Sequence, residues 1–191
     1  MNKRNIIVIG GVIIIIILIW VFMSSKKTAT SLPLPGVQTA SSTPATLSPT
    51  EFDARNATFE IDGEKITLKD GEHDSTTPPI VTTKYVGNEV TGDINGDDRQ
   101  DKAFIIAQYG GGTGVFFSVL AALGTKDGYQ TTNALFIGDR ITPQRIVIKP
   151  LTLQVDYLDR NADEPFADEP TVLSTKVFTV TELGKLETKT E

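Results

Sequence analysis

The chain is expected to fold as an all-β protein, a mainly antiparallel sheet forming a sandwich or a partly closed barrel, tethered to one N-terminal transmembrane helix. Three observations lead there. From Phe52 to Leu186 apolar residues recur with a period of two, and no stretch carries the three-and-four spacing of an amphipathic helix. The stretches between the apolar runs are mostly too short for the crossovers that parallel strands need. Before all of this, Ile6 to Met23 is an unbroken apolar run interrupted only by Gly10 and Gly11.

That apolar run sets the chain's organisation. Its 18 residues would rise ~27 Å as a helix, close to the ~30 Å hydrocarbon core of a bilayer. Its Ile and Val residues favour strand in water, but in lipid a single segment satisfies its backbone only as a helix. A cleavable signal peptide would have a shorter core of ~7–15 residues and small residues at its end; Val21, Phe22 and Met23 are bulky. The reading is therefore a retained anchor over residues 6–23, behind a cytoplasmic stub of residues 1–5. Lys3 and Arg4 precede the span and Lys26 and Lys27 follow it, so the positive-inside bias is slight. The Ser/Thr/Pro linker over residues 24–50 decides the orientation, since such spacers hold domains off the outer face. The expected location is the cell membrane, single-pass, with the C-terminal domain extracytoplasmic. Cysteine is absent, which excludes attachment of a lipid through cysteine.

Thr28 to Thr50 has no charged residue and contains Pro33, Pro35, Pro44 and Pro49, the composition of a semi-extended, disordered tether. After the span the chain carries all 24 acidic residues and 16 of the 18 basic ones, a balance of −8. That argues against a nucleic-acid partner, because binding phosphates requires Lys and Arg. Contact with the membrane is expected through the N-terminal helix, and an envelope protein or a glycan is the expected partner class.

Residues 51–191 read as one β-domain. Phe59 and Ile61 alternate, Asp62-Gly63 makes a hairpin turn, and Ile66 and Leu68 continue with Lys65, Thr67 and Lys69 facing outward. Asp70-Gly71 ends that strand. Further strands are expected over Ile80 to Val86, Lys102 to Gln108, Val115 to Leu123, Ala134 to Ile137, Arg145 to Ile148, Leu151 to Tyr157 and Val172 to Val180. Those over 102–108 and 115–123 are nearly all apolar and should be central, buried on both faces. Leu151, Leu153, Val155 and Tyr157 alternate with Thr152, Gln154 and Asp156, predicting one wet face.

The stretch with most chemistry is Gly92-Asp93-Ile94-Asn95-Gly96-Asp97-Asp98-Arg99-Gln100-Asp101. Asp93, Asn95, Asp97 and Asp101 stand at positions 1, 3, 5 and 9, and the Arg99 carbonyl at position 7, the register in which a tight loop collects oxygen ligands for Ca²⁺. Strand-like flanks make it a hairpin loop, and Phe104 at position 12 argues against an EF-hand. The spacing resembles the Asp-x-Asp-x-Asp-Gly-x-x-Asp calcium loops of integrin-type β-propeller blades. Those loops have glycine at position 6; Asp98 stands there here and would have to adopt the left-handed conformation. The alternative is a loop of Asx turns with solvated carboxylates.

Other motifs are read against simpler roles. Gly110-Gly111-Gly112-Thr113-Gly114 lacks the Lys-Ser/Thr and the following helix of a phosphate loop, and is read as a hairpin connection. Asp163-Glu164-Pro165 and Asp168-Glu169-Pro170, with Asp156 and Asp159, could furnish paired carboxylates for glycoside hydrolysis, but the prolines make the segment an irregular surface loop. Phe166 between them could contact a partner. His73 is the only histidine, and without cysteine no catalytic triad or zinc site assembles around it. No catalytic residue is assigned. Asn56-Ala57-Thr58 fits a glycosylation sequon.

Several stretches together resemble a family of uncharacterised membrane- or lipid-anchored bacterial proteins: Asn56 to Gly63, Gly87 to Asp97, Gly111 to Phe117, Gly138 to Gln144, and Tyr157 to Arg160 with Glu164-Pro165-Phe166. The resemblance spans about Phe52 to Leu186. It implies an extracytoplasmic bacterial location and a single calcium loop, and supplies no activity. The function expected is a membrane-anchored binding or structural module; a cell-envelope glycan hydrolase or an accessory subunit of an envelope complex are the alternatives.

Overall fold

The computed structural model describes residues 51–189, and the stub, the transmembrane helix and the linker expected over residues 1–50 lie outside them. Among the described residues no helix is long and apolar enough to cross a membrane. Twelve strands follow one short 3₁₀ turn: β1 (Thr58–Ile61), β2 (Glu64–Thr67), β3 (Glu72–Asp74), β4 (Val81–Gly92), β5 (Asp101–Gly110), β6 (Phe116–Thr125), β7 (Gly128–Thr131), β8 (Leu135–Asp139), β9 (Thr142–Lys149), β10 (Thr152–Asp159), β11 (Val172–Val180) and β12 (Leu186–Thr188). Every strand pairing within the sheets is antiparallel, as the short connections require.

A six-stranded sheet of order β3-β4-β5-β6-β7, with β8 also paired to β6, forms the middle layer. A four-stranded sheet, β12-β11-β10-β9, packs on one face and the β1-β2 hairpin on the other. Among the described residues no barrel closes; the sheets stay separate and stack. Alternation along β5 and β6 makes the stack work. Ala103, Ile105, Val119 and Ala121 point into one core with Leu153, Val155 and Phe178, while Phe104, Ile106 and Leu120 point into the other with Phe59, Ile61 and Ile66. This is why both strands read as continuous apolar runs.

Local chemistry explains the turns. Asp62 and Gly63 both have positive φ (51° and 80°), the two-residue turn whose twist suits a hairpin. Asp70 and Gly71 (54° and 93°) repeat it, and the chain continues into β3, a three-residue polar strand that hydrophobic patterning does not disclose. The polar β7 and β12 are legible only through their partners β6 and β11. Between β7 and β8 the ladder on β6 is carried by one residue: Thr132 N–H donates to the Ala121 carbonyl at 2.8 Å, and its hydroxyl accepts from Ala121 N–H at 3.0 Å. The register of β4 shifts on either side of Gly87 (φ 108°), a bulge that bends the strand and lets the Asn88 amide donate to the Gln144 carbonyl of β9.

Two expectations need correction. Leu151 stands in the β9–β10 turn, 59% exposed with φ 59°, and does not continue the buried row of Leu153, Val155 and Tyr157. The opposite face of β10 is not uniformly wet, because Asp156 is buried there.

Candidate functional sites: the acidic hairpin loop and a cleft

Residues 93–100 connect β4 to β5 in the antiparallel hairpin expected of them. Ile94, fully buried, plugs the loop into the larger core. Asp93 organises the rest: one carboxylate oxygen accepts from Gly96 N–H at 2.7 Å and Asp97 N–H at 3.2 Å, the other from Asp98 N–H at 3.0 Å. The Asn95 side-chain oxygen also accepts from Asp97 N–H. Asp98 adopts the left-handed conformation, φ 62°, at the position where glycine is usual, so the loop closes without it.

Asp97 takes Arg99 N–H on one oxygen at 3.0 Å and the Arg99 guanidinium on the other at 2.9 Å. Partial burial raises its pKa, but these bonds and the Asn95 side chain outweigh it and leave the carboxyl below its ordinary range. Asp101 lies fully buried at the start of β5, its two oxygens accepting from Ile94 N–H and Gly124 N–H at 2.8 Å each. Burial pushes the Asp101 carboxyl up against those two bonds, and the charges of Asp97 and Asp93 push it in the same direction.

The donor set, three carboxylates with amide and carbonyl oxygens, suits a hard cation. As arranged, the carboxylates cap backbone amides of the loop, and among the described residues no three acidic, histidine or cysteine side chains form a metal-holding group. Asp93 spends one oxygen on two amides, while its other oxygen and both oxygens of Asp101 accept one amide each and keep a further lone pair. The residue in the way is Arg99, whose guanidinium already sits on Asp97; its side chain is half exposed, and such surface pairs contribute only ~0–1 kcal/mol.

A cavity of about 700 Å³ lies elsewhere. It is bounded by the β1–β2 turn, the segment Ser75–Pro79 before β4 and the glycine connection between β5 and β6. Its size is within the range of ligand-binding clefts. Ile61, Ile66 and Val81 supply apolar lining, and Thr83, Gln108 and His73 supply polar groups. The Gln108 amide donates to the buried Thr83 hydroxyl at 3.2 Å, and His73 Nδ1 lies 3.1 Å from the Thr67 carbonyl. Ser75 orders its wall, its hydroxyl accepting from Val81 N–H at 2.9 Å. Sequence reading missed this cleft: His73 read as an isolated polar residue and the glycines as a connection. The connection reading holds, since the glycines join antiparallel strands and no helix follows.

The remaining candidates do not assemble into a site. Asp156 is spoken for by Arg145 Nε at 2.7 Å, the Gln154 amide at 2.7 Å and the Thr175 hydroxyl at 2.8 Å. The Asp-Glu-Pro segment is an irregular loop between β10 and β11, pinned by Arg160, whose guanidinium donates to the Asp168 and Arg140 carbonyls. Glu164 accepts from the Asn161 backbone and side chain. Phe166 is exposed on one side, but the Arg140 guanidinium stacks 3.9 Å from its ring centre. Asn56 uses both ends of its amide, donating to Asp53 at 2.6 Å and accepting from Asp70 N–H at 3.0 Å, which ties it into the start of the domain.

No protein-family model, curated protein or solved structure matches this chain. Fold and sites define it at the level of class: a layered antiparallel β-domain with an acidic hairpin loop and an open cleft.

Proposed function

We propose that this protein is a single-pass membrane protein of the bacterial cell envelope, with residues 6–23 as its anchor and its β-domain on the extracytoplasmic side acting as a binding or structural module. Ca²⁺ held by Asp93, Asn95, Asp97, the Arg99 carbonyl and Asp101 pins the β4–β5 hairpin. The observation that carries the module reading is the open, partly apolar cleft of about 700 Å³ on a domain whose buried carboxylates, Asp101 and Asp156, take structural hydrogen bonds and stand outside the cleft's lining. A glycan hydrolase needs two positioned carboxylates. The cleft's two, Asp62 and Glu64, are exposed, and neither takes a hydrogen bond from another side chain or loop amide among the described residues. That favours recognition over catalysis.

Carbonate extraction of the full chain from membranes tests the anchor, and protease treatment of intact cells tests the orientation. The chain should stay in the pellet, and external protease should remove the β-domain. Release into the supernatant, or a mature N-terminus beyond Met23, would show a cleaved signal peptide instead.

A further inference from the structure

We propose that the cleft is a docking site for an extended peptide segment of a partner protein, apolar in sequence, carrying Lys or Arg and free of acidic side chains. The proposal deepens the binding-module reading and rests on it.

The glycine connection is the first ground. A side chain on Gly110 would come within 2.8 Å of the Ile80 carbonyl, and one on Gly114 within 2.6 Å of the half-exposed, movable Phe116 ring, so both are crowded from inside the domain. Gly111 and Gly112 are not. Neither has the left-handed backbone that favours glycine, and a Cβ on either would meet nothing within 4 Å. A tight turn passes through Gly111, with Gly112 N–H donating to the Gly110 carbonyl, but neither that turn nor packing inside the domain calls for a bare Cα, and both residues line the cleft. Close approach by an outside backbone is the remaining use of such glycines.

The second ground is the lining. Ile61, Ile66 and Val81 are aliphatic side chains, suited to receive the apolar side chains of a peptide, and they stand beside the rings of Tyr109 and Phe116. Phe116 extends this surface outward: it is 47% exposed and pairs with Phe136, 53% exposed, at a centroid separation of 6.4 Å. Exposed apolar patches of this kind mark interaction surfaces.

Charge is the third ground. Asp62 and Glu64 line the cleft and no Lys or Arg does, on a domain that is acidic overall. An anionic ligand, whether phosphate-bearing or an acidic peptide, would meet like charge, whereas a basic residue beside an apolar run finds two partners.

The test pans a phage-displayed random peptide library against the full chain in detergent micelles and, in parallel, against a Gly111→Val/Gly112→Val variant. Enrichment on the native chain should yield apolar sequences with Lys or Arg and without Asp or Glu. A synthetic peptide of the leading sequence should bind the variant at least ~10-fold more weakly, while the variant's melting curve stays that of the native chain. Glu64→Lys should turn the selection away from basic peptides. Equal enrichment on the glycine variant, acidic leading sequences, or no enrichment would each overturn the proposal. An array of envelope oligosaccharides separates this failure from that of the parent reading. Glycan capture without peptide capture leaves a binding module whose ligand is a sugar. If neither is captured, the binding-module reading falls with the proposal.

Discussion

Gly124 N–H donates to the buried carboxylate of Asp101 at 2.8 Å, tying the start of β5 to the end of β6 just where the acidic loop enters the sheet. The fit is close, because any side chain on Gly124 would collide with the Gln100 carbonyl. With Ile94 N–H on its other oxygen, Asp101 holds the loop from behind while Asp93 holds it from within.

Asp101→Ala should therefore destabilise the domain by about 2–6 kcal/mol, since two buried amides lose their acceptor at ~1–3 kcal/mol each. Urea unfolding measures it. A loss under ~1 kcal/mol would mean that the loop reopens and water takes over both bonds.

Calcium should raise the melting temperature of the full chain's β-domain. Binding to the folded state alone adds ~2.7 kcal/mol at a hundredfold excess over Kd, which for a domain of this size is roughly 5–10 °C. Asp93→Ala or Asp97→Ala should abolish the increment. Arg99→Gln should strengthen binding, because it removes the guanidinium that sits on Asp97. Melting curves that coincide with millimolar calcium and with chelator would leave the loop a set of Asx turns.

Asp98→Gly should stabilise the domain by roughly 1 kcal/mol even without an ion, because a non-glycine residue at φ 62° bears a left-handed cost that glycine does not. Chemical denaturation with chelator present isolates this from any gain in affinity. A destabilising result would show that the Asp98 carboxylate itself supports the turn.

Acid sensitivity should divide between two buried carboxyls with opposite signs. Burial raises the Asp156 pKa, but hydrogen bonds from Arg145, Gln154 and Thr175 outweigh it and hold the carboxyl below its ordinary 3.8. Its contribution is thus present above 3.8 and is lost as pH falls through the depressed folded value. Asp101 is shifted upward, so its contribution is complete below 3.8 and fades as pH rises through the raised folded value. Asp156→Asn should flatten the acid limb of the stability profile, and Asp101→Asn should steepen it. Urea midpoints measured from pH ~6 to ~2 decide this, and parallel profiles would refute the division.

Both faces of β5 should be intolerant of truncation. Phe104→Ala should cost ~3–5 kcal/mol and Ile105→Ala ~2–5 kcal/mol, although the two side chains enter different cores. Phe136→Ser, on the surface, should stay near ±0.5 kcal/mol. A tolerant Phe104 would mean that the β1–β2 hairpin is only loosely seated.

The amino-acid order alone determined what depends on neighbours in sequence. Asp62-Gly63 and Asp70-Gly71 reach positive φ through their own backbone preferences, so the hairpin is legible at that spot. The unbroken apolar runs of β5 and β6 announce burial on two faces because alternate residues must point opposite ways. Even Asp98 in the left-handed conformation follows from its place in the loop. The tertiary structure decided what depends on residues far apart. The same Asp spacing that reads as a ring of ligands conceals that Asp101 faces Gly124, 23 positions away. Asp156 reads as an outward residue of an alternating strand until Arg145 and Thr175, on strands either side, enclose it. The cleft belongs wholly to this second kind. Its walls come from the β1–β2 turn, the segment before β4 and the β5–β6 connection, none of which has any pocket-like pattern by itself. Local conformational preference acts over a few bonds and is written in adjacent residues, whereas a cavity, a buried carboxylate or a shared core exists only once antiparallel pairing has set distant segments side by side.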